Sequence, residues 1–154
     1  MKEIQLRCLG LDDLEDAAFV HRSSFDERLP WLVGLHTPDE DRWFYRERVF
    51  PECTLCGAIE NDVLVGIIAF RQDWIDQFYI LPDAQGRGVG TSLLDLAKRQ
   101  ARSLSVWTFQ RNTMARCFYE RRGFVMIEET DGSGNEEREP DVLYRWSASA
   151  PTGR

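Results

Sequence analysis

The run Gln85-Gly86-Arg87-Gly88-Val89-Gly90 puts three glycines into six residues. It lies between a stretch of strand character stopped by Pro82 and a stretch of helical spacing that begins at Thr91. In a strand-to-helix turn of this kind successive backbone N–H groups can converge, and the helix dipole adds positive character, so the chemistry it suits is the holding of phosphate. Side chains at Gly88 and Gly90 would obstruct the approach of the backbone to phosphate oxygens, or be strained at positive φ. Two phosphate-binding templates do not match. A P-loop needs Gly-Lys-Ser/Thr, whereas Gly90-Thr91-Ser92 has no lysine; a dinucleotide fingerprint counted from Gly86 and Gly88 needs glycine where Thr91 stands.

The other chemically suggestive residues carry less. Of Cys8, Cys53, Cys56 and Cys117, only Cys53-x-x-Cys56 has a motif-like spacing. Its surroundings alternate like a strand, which would send the two thiols to opposite faces. There is no second pair, and His21 and His36 have no ligand spacing, so the expectation is ordinary reduced cysteines and no metal.

Charge supports a localised anion. The net charge is −7, but residues 1–86 carry −9, residues 87–122 carry +6 and residues 123–154 carry −4. A basic block in an acidic chain suits one polyanionic ligand held locally, and the acidic remainder suits a cationic one. The same balance argues against nucleic acid as a partner.

These residues need a scaffold, and the chain can supply one. At 154 residues and 43% hydrophobic it has the proportions of one globular domain, 1–146, with a frayed tail, 147–154. Met1-Lys2-Glu3 leads into no signal-peptide core and no apolar run reaches the length of a membrane span, so a soluble cytoplasmic protein is expected. Residues 4–8 alternate as a strand. Asp12-x-x-Glu15 resembles a capping box opening a helix to about Phe25, with Leu14, Ala17, Ala18 and His21 inward. After a loop over 28–36, Thr37-Pro38-Asp39-Glu40 opens a second helix to about Phe50. Strands follow over 53–59 and 63–70, joined at Glu60-Asn61-Asp62, then over 74–81. A helix over 91–102 and a strand over 105–109 come next. Asn112 caps a further helix with Ala115, Phe118 and Tyr119 inward, ended by Gly123. Strands over 124–127 and 142–146 flank a polar loop, 129–141. The order, β-αα-βββ-α-β-α-ββ, is an α+β domain on one mixed sheet.

Two segments now resemble a known family. Gln85-x-x-Gly88-x-Gly90, entered from Asp76-Gln77-Phe78-Tyr79-Ile80-Leu81-Pro82, is similar to the acetyl-CoA pyrophosphate loop of the GNAT superfamily of N-acetyltransferases. Asn112-x-x-Ala115-x-x-Phe118-Tyr119-x-x-x-Gly123-Phe124 is similar to the helix and strand that follow in that family. The likeness is specific over 74–124 and architectural over 1–70. It implies a GNAT fold, acetyl-CoA as co-substrate, no metal, and direct transfer of acetyl to an amine in a ternary complex. Backbone amides of Gln85, Gly86, Arg87, Gly88, Val89, Gly90 and Thr91 would hold the pyrophosphate. The strand carrying Phe78 and Ile80 would part from the 105–109 strand and serve the pantetheine arm and thioester carbonyl, and Asn112 would touch the arm. Arg87, Lys98, Arg99, Arg102 or Arg111 could neutralise cofactor phosphates.

Such a transfer needs a neutral amine, a stabilised oxyanion and a proton for the departing thiolate. An amine with a lysine-like pKa is about one part in 10³ neutral at pH 7, a barrier of roughly 4–5 kcal/mol that a base or a desolvating site must offset. Tyr119 resembles the family's general acid, since a phenol stays protonated at neutral pH; the alternative is a core tyrosine with a satisfied hydroxyl. The backbone N–H near Ile80 would meet the oxyanion. Asp76 is the leading candidate base, with Asp73 and His36 behind it. Glu136 and Glu137 could orient a cationic acceptor, and Phe25 and Trp31 lie where relatives shape the acceptor pocket, although such aromatics also fill cores. Cys117 has no neighbouring histidine to activate it, so no acetyl-cysteine step is expected. The acceptor is a small-molecule or peptide amine; exposed sheet edges and the 142–146 strand are compatible with a homodimer. A non-catalytic acyl-CoA sensor on the same fold is the alternative, and a nucleotide-binding protein sharing only the loop is a third.

Overall fold

A computed structural model describes residues 3–148. The chain divides into two compact units, the first formed by residues up to Arg71 together with Ile75–Arg99, the second by Gln72–Trp74 and the residues from Gln100 onward.

In the first unit, β1 (Ile4–Cys8) pairs antiparallel with β2 (Thr54–Glu60), Ile4 opposite Glu60 and Cys8 opposite Cys56. β2 pairs antiparallel with β3 (Val63–Arg71) through the expected hairpin. Its turn residues, Asn61 at φ 51° and Asp62 at φ 63°, occupy the left-handed region that a tight two-residue hairpin demands, which Asn and Asp tolerate. β4 (Trp74–Ile80) follows. α1 spans Leu14–Arg28, later at both ends than expected. Arg7 of β1 claims the Asp13 carboxylate at 2.9 Å, and that carboxylate also accepts the Gly10 N–H at 2.8 Å, so residues 11–13 form a tight 3-10 turn and the helix starts after them. Arg7 holds the Asp13 carboxyl down at about 2. The helix stops before Pro30, as the restriction on the residue preceding proline dictates.

α2 (Pro38–Phe44) has the expected cap, Thr37 Oγ1 accepting from Glu40 N at 3.1 Å and Glu40 Oε1 accepting from Thr37 N at 2.7 Å. It continues as a π turn over Tyr45–Val49 and a last turn, α3 (Phe50–Glu52). Pro51, with no N–H to donate, sits where the regular ladder gives way. Tyr45 and Val49 join Leu9, Leu14, Ala17, Ala18, Val20, Leu55, Leu64, Ile67 and Ala69 in one apolar core. α4 (Val89–Arg99) completes the unit and starts two residues earlier than its periodicity suggests.

In the second unit, β5 (Ser103–Phe109) pairs antiparallel with β7 (Asp141–Ser147), and β7 with β6 (Val125–Thr130). α5 (Thr113–Glu120) lies between β5 and β6 in sequence. The parallel pairing is made at Trp74 and Ser105, whose N–H donates to Asp73 O at 2.8 Å. Hydrogen-bonded neighbours give the strand order β1-β2-β3-β4-β5-β7-β6, a seven-stranded mixed sheet. The α+β class and element order expected from sequence are borne out.

Two expectations need correction. The 129–141 stretch is not simply an exposed loop: β6 reaches Thr130, and the connection is organised by Asn135, which donates to Glu139 O at 2.7 Å and accepts from Glu139 N at 3.2 Å. Gly132, at φ +82°, packs so tightly that a Cβ would stand 2.4 Å from the Glu139 backbone. Ser147, where the tail was expected to start, pairs with Ser103 in the sheet, and Ala148 N donates to Arg102 O at 2.7 Å; the remainder of the expected tail, 149–154, lies outside the described residues. Among the described residues no helix is long and apolar enough to cross a membrane, and no group of three or more His, Cys, Asp or Glu could hold a metal ion.

Candidate active site

β4, the loop after it and the start of α4 carry most of the candidate residues of the first unit. Ile80 ends β4, and its carbonyl accepts from Ser24 Oγ of α1 at 2.8 Å and from Gln85 Nε2 at 3.0 Å. Arg28, one turn beyond Ser24, donates to Gln85 Oε1. The Gln85 side chain is thus a brace between β4 and α1, and its own N–H donates to Pro82 O at 3.3 Å. Gly86 and Gly88 stand at φ +76° and +85°, and an added Cβ at either would meet no heavy atom within 4 Å. Backbone conformation, not crowding, therefore requires glycine here, and the space above both is open. Ser92 N donates to Gly88 O at 3.0 Å, the first turn of α4, so the N–H groups of Val89 and Gly90 emerge at the helix start without an acceptor inside the helix. The Val89 side chain is buried and Thr91 is half-buried in the same turn.

α4 is seated by Gly66 of β3. A Cβ there would stand 2.8 Å from Ile80 Cδ1, 3.1 Å from Val89 and 3.2 Å from Leu93, so the glycine lets the first turn of the helix approach the strand closely. Arg87 points back to the hairpin: its guanidinium grips Glu60 with two bonds of 2.8 and 3.0 Å. Phe78 is half-buried on β4. Asp76 is half-buried and takes both its hydrogen bonds on one oxygen, Oδ2, from Arg71 Nε and from Cys53 Sγ at 3.3 Å. Burial and that carboxylate push the Cys53 thiol up to about 12. Of the expected acceptor-side aromatics, Phe25 is buried at the end of α1 with Arg22 over its ring, whereas Trp31 is 50% exposed. His36 lies 3.9 Å from Glu40.

A cluster that the sequence reading did not anticipate as a group lies behind β4. His21 Nδ1 shares a 2.8 Å hydrogen bond with Tyr45 OH, and its ring stacks on Tyr79 at 4.3 Å with Phe44 edge-on. The residue as a whole is half-buried, but the ring is enclosed, and burial followed by the charge of Arg22 pushes it down to about 3, so it is neutral at pH 7. Arg22 in turn grips the buried Asp41 with two bonds of 2.8 Å.

In the second unit, Asn112 Oδ1 accepts from Ala115 N at 3.1 Å, the expected cap of α5. Tyr119 is 6% exposed, with Phe124, Phe118 and Tyr144 rings at 5.1, 5.5 and 6.1 Å. Beside it Tyr144 donates to Glu120 at 2.6 Å and accepts from Arg116 at 3.0 Å; burial and the nearby carboxylate raise its phenol above the ordinary range. Glu136 is exposed on the 131–140 connection. Much of the basic block is engaged internally: Arg116 with Tyr144, Arg122 with Phe118 O, and Arg111 within 4.0 Å of Glu139.

Ser24, Arg28 and Glu60 escaped the sequence reading. Ser24 and Arg28 share a helix face by their spacing of four, a usable signal. Nothing local ties Glu60 to Arg87, 27 residues on.

The model of the acetyltransferase (GNAT) family matches residues 17–124. An uncharacterised N-acetyltransferase of Staphylococcus saprophyticus is 36% identical over 80 residues, covering 52% of this chain and 51% of the relative, so the chain spans about half the length of that protein. The peptidyl-lysine N-acetyltransferase YjaB of Salmonella typhimurium is 33% identical over 97 residues, 61% of this chain and 67% of the relative. The solution structure of apo YjaB from Escherichia coli superposes with a TM-score of 0.77 at 23% identity, over 96% of this chain and 99% of that one. The chain belongs to the acetyltransferase (GNAT) family.

Proposed function

We propose that this protein transfers the acetyl group of acetyl-CoA to a primary amine, directly and within a ternary complex. The observation that carries the reading is the 85–90 turn: two glycines at positive φ with open space above them, leading into an eleven-residue helix whose first N–H groups have no in-helix acceptor. Such a cradle fits a pyrophosphate, and the residues assigned to it are Gln85, Gly86, Arg87, Gly88, Val89, Gly90 and Thr91. Gln85 and Arg87 act there through their bracing bonds, the others through backbone and first-turn groups. Bound acetyl-CoA supplies an activated thioester; everything else falls to the chain.

Phe78 and Ile80 line the cofactor arm along β4, where the backbone N–H near Ile80 polarises the thioester carbonyl. Asn112 contacts the arm with its amide nitrogen, its oxygen being used in the cap. Tyr119, buried among aromatic rings, holds a proton at its hydroxyl for the departing sulfur, as a phenol does at neutral pH. Asp76, with both hydrogen bonds on Oδ2, has Oδ1 to take a proton from the amine directly or through water.

The acceptor is a cationic amine on a small molecule or a peptide, met by the acidic regions outside the basic block, with Trp31, Phe25 and Glu136 on the acceptor side. The peptidyl-lysine activity in the name of the Salmonella relative favours a lysine side chain. A cytoplasmic location and a homodimer belong to the same reading. An acceptor screen with acetyl-CoA, read as free thiol released, tests it: turnover that depends on a lysine-containing peptide or small amine supports it, and cofactor binding without turnover on any amine favours the acyl-CoA sensor.

A further inference from the structure

Glu60 ends β2 and is 6% exposed, a depth at which a carboxylate needs a partner. Arg87 is that partner, in a two-pronged pairing whose arginine side chain is 40% exposed. Arg87 is also the residue between the two glycines at positive φ. An exposed arginine in a phosphate loop is expected to reach for phosphate; here it is turned to the hairpin, and a forked pairing of two planar groups fixes orientation as well as distance. We propose that Glu60 is a positioning residue for the cofactor loop: by anchoring Arg87 it holds Gly86 and Gly88 in the conformation that presents the backbone N–H groups. This rests on the reading of the 85–90 turn as the acetyl-CoA site.

The alternative, in which Arg87 leaves Glu60 to bind phosphate itself, predicts the opposite sign. If Glu60 competes with phosphate for Arg87, Glu60→Gln frees the guanidinium and tightens CoA binding. If Glu60 anchors the loop, Glu60→Gln weakens it, by about fivefold to tenfold in Kd, and Arg87→Gln adds less than about twofold once Glu60 is gone. The expected kinetic pattern for Glu60→Gln is a raised KM for acetyl-CoA with kcat and the amine KM within about twofold, which general loss of folded protein does not produce. Amide hydrogen exchange over 85–90 in the ligand-free protein gives a second measure: Glu60→Gln speeds it and leaves β5 and β7 unchanged. Tighter CoA binding, additive Glu60 and Arg87 effects, or unchanged exchange and Kd overturn the anchor. A wild type that binds no CoA overturns the functional reading instead, and the exchange measurement still decides whether Glu60 orders the loop.

The cysteines carry an independent inference. Cys8 stands opposite Cys56, and Leu9 N donates to Leu55 O at 3.0 Å, making Leu9 and Leu55 the hydrogen-bonded pair. Cys8 and Cys56 are therefore a non-hydrogen-bonded pair, with Cα atoms about 4.5 Å apart and side chains at their closest. That separation falls within the range of about 4.4–6.8 Å that a disulfide spans. Both side chains leave the same face of the sheet, Cys8 exposed and Cys56 buried. We infer that Cys8 and Cys56 close a reversible cross-strand disulfide when met by a small disulfide oxidant such as oxidised glutathione. The Cys8 thiolate attacks the oxidant and expels one glutathione thiolate; the Cys56 thiolate then attacks the Cys8 sulfur and expels the second. The two thiol protons end on the two glutathiones released. Burial pushes the Cys56 thiol up to about 12, so the second step is slow and quickens with pH.

Native protein treated with oxidised glutathione and mapped without reduction is expected to show a peptide linking Cys8 to Cys56, present in Cys53→Ser and absent in Cys8→Ser. A stable glutathione adduct on Cys8 without closure, or a Cys53–Cys56 link, overturns the inference.

Discussion

Tyr119 bears the sharpest test at the level of single side chains. If its hydroxyl supplies the proton for the departing sulfur, Tyr119→Phe lowers kcat by about 10²-fold or more while the Kd for CoA stays within about twofold. An unchanged kcat assigns the residue to packing among Phe118, Phe124 and Tyr144. His21 makes a second prediction, on stability. Its ring is held neutral down to about pH 3 in the folded chain but takes a proton near 6.5 when unfolded. Between those values the unfolded state binds more protons, so His21 contributes stability that is complete above about pH 6.5 and is lost as pH falls towards 3, with a slope of at most about 1.4 kcal/mol per pH unit. Urea unfolding at pH 7 and pH 5 should show this loss, and His21→Phe should reduce it. Asp13, held at about 2 by Arg7, adds a separate loss only below about pH 3.8. Sequence alone placed His21 on the inner stripe of α1 but could not name Tyr45 and Tyr79 as its partners, because those contacts join three elements.

The elements that carry the site were the most legible part of the chain. The Asn61-Asp62 turn, the Thr37 and Asn112 caps and the glycine loop all rest on short-range chemistry written in a few adjacent letters. Boundaries were less legible wherever a distant residue decides them. Arg7 displaces the start of α1 by taking Asp13, and the Asn135–Glu139 bonds order a connection whose composition reads as open loop. The bracing of Ile80 by Ser24 and Gln85, and of Arg87 by Glu60, is long-range and invisible to local pattern. Two substitutions test whether this scaffolding sets the loop. Gly88→Val forces a branched side chain to φ +85° and should weaken CoA binding at least tenfold with little change elsewhere. Gly66→Val drives methyl groups into Ile80, Val89 and Leu93, and should cost about 1–3 kcal/mol of stability by thermal or urea unfolding while also raising the Kd for CoA. A Gly66→Val protein that binds CoA normally would show that the seat of α4 on β3 does not govern the loop.

For the molecule as a whole, the charge pattern that first suggested a polyanionic ligand takes a more specific form in the structure. Arg87, Arg116 and Arg122 are committed to partners within the chain, so the basic block serves architecture as much as ligand. On the proposed reading, binding of CoA leans on backbone N–H groups and a helix start, which discriminate by shape, and it should weaken only modestly with added salt. The central claim, that the 85–90 turn is an acetyl-CoA site in a working N-acetyltransferase, is tested most directly by calorimetric titration of the purified protein with acetyl-CoA, CoA, ATP and NAD in parallel. Saturable binding of acetyl-CoA and CoA, with none of ATP or NAD and with loss of the signal in Gly88→Val, is the predicted result. Binding of ATP or NAD in preference to CoA, or no binding of CoA at all, would contradict it.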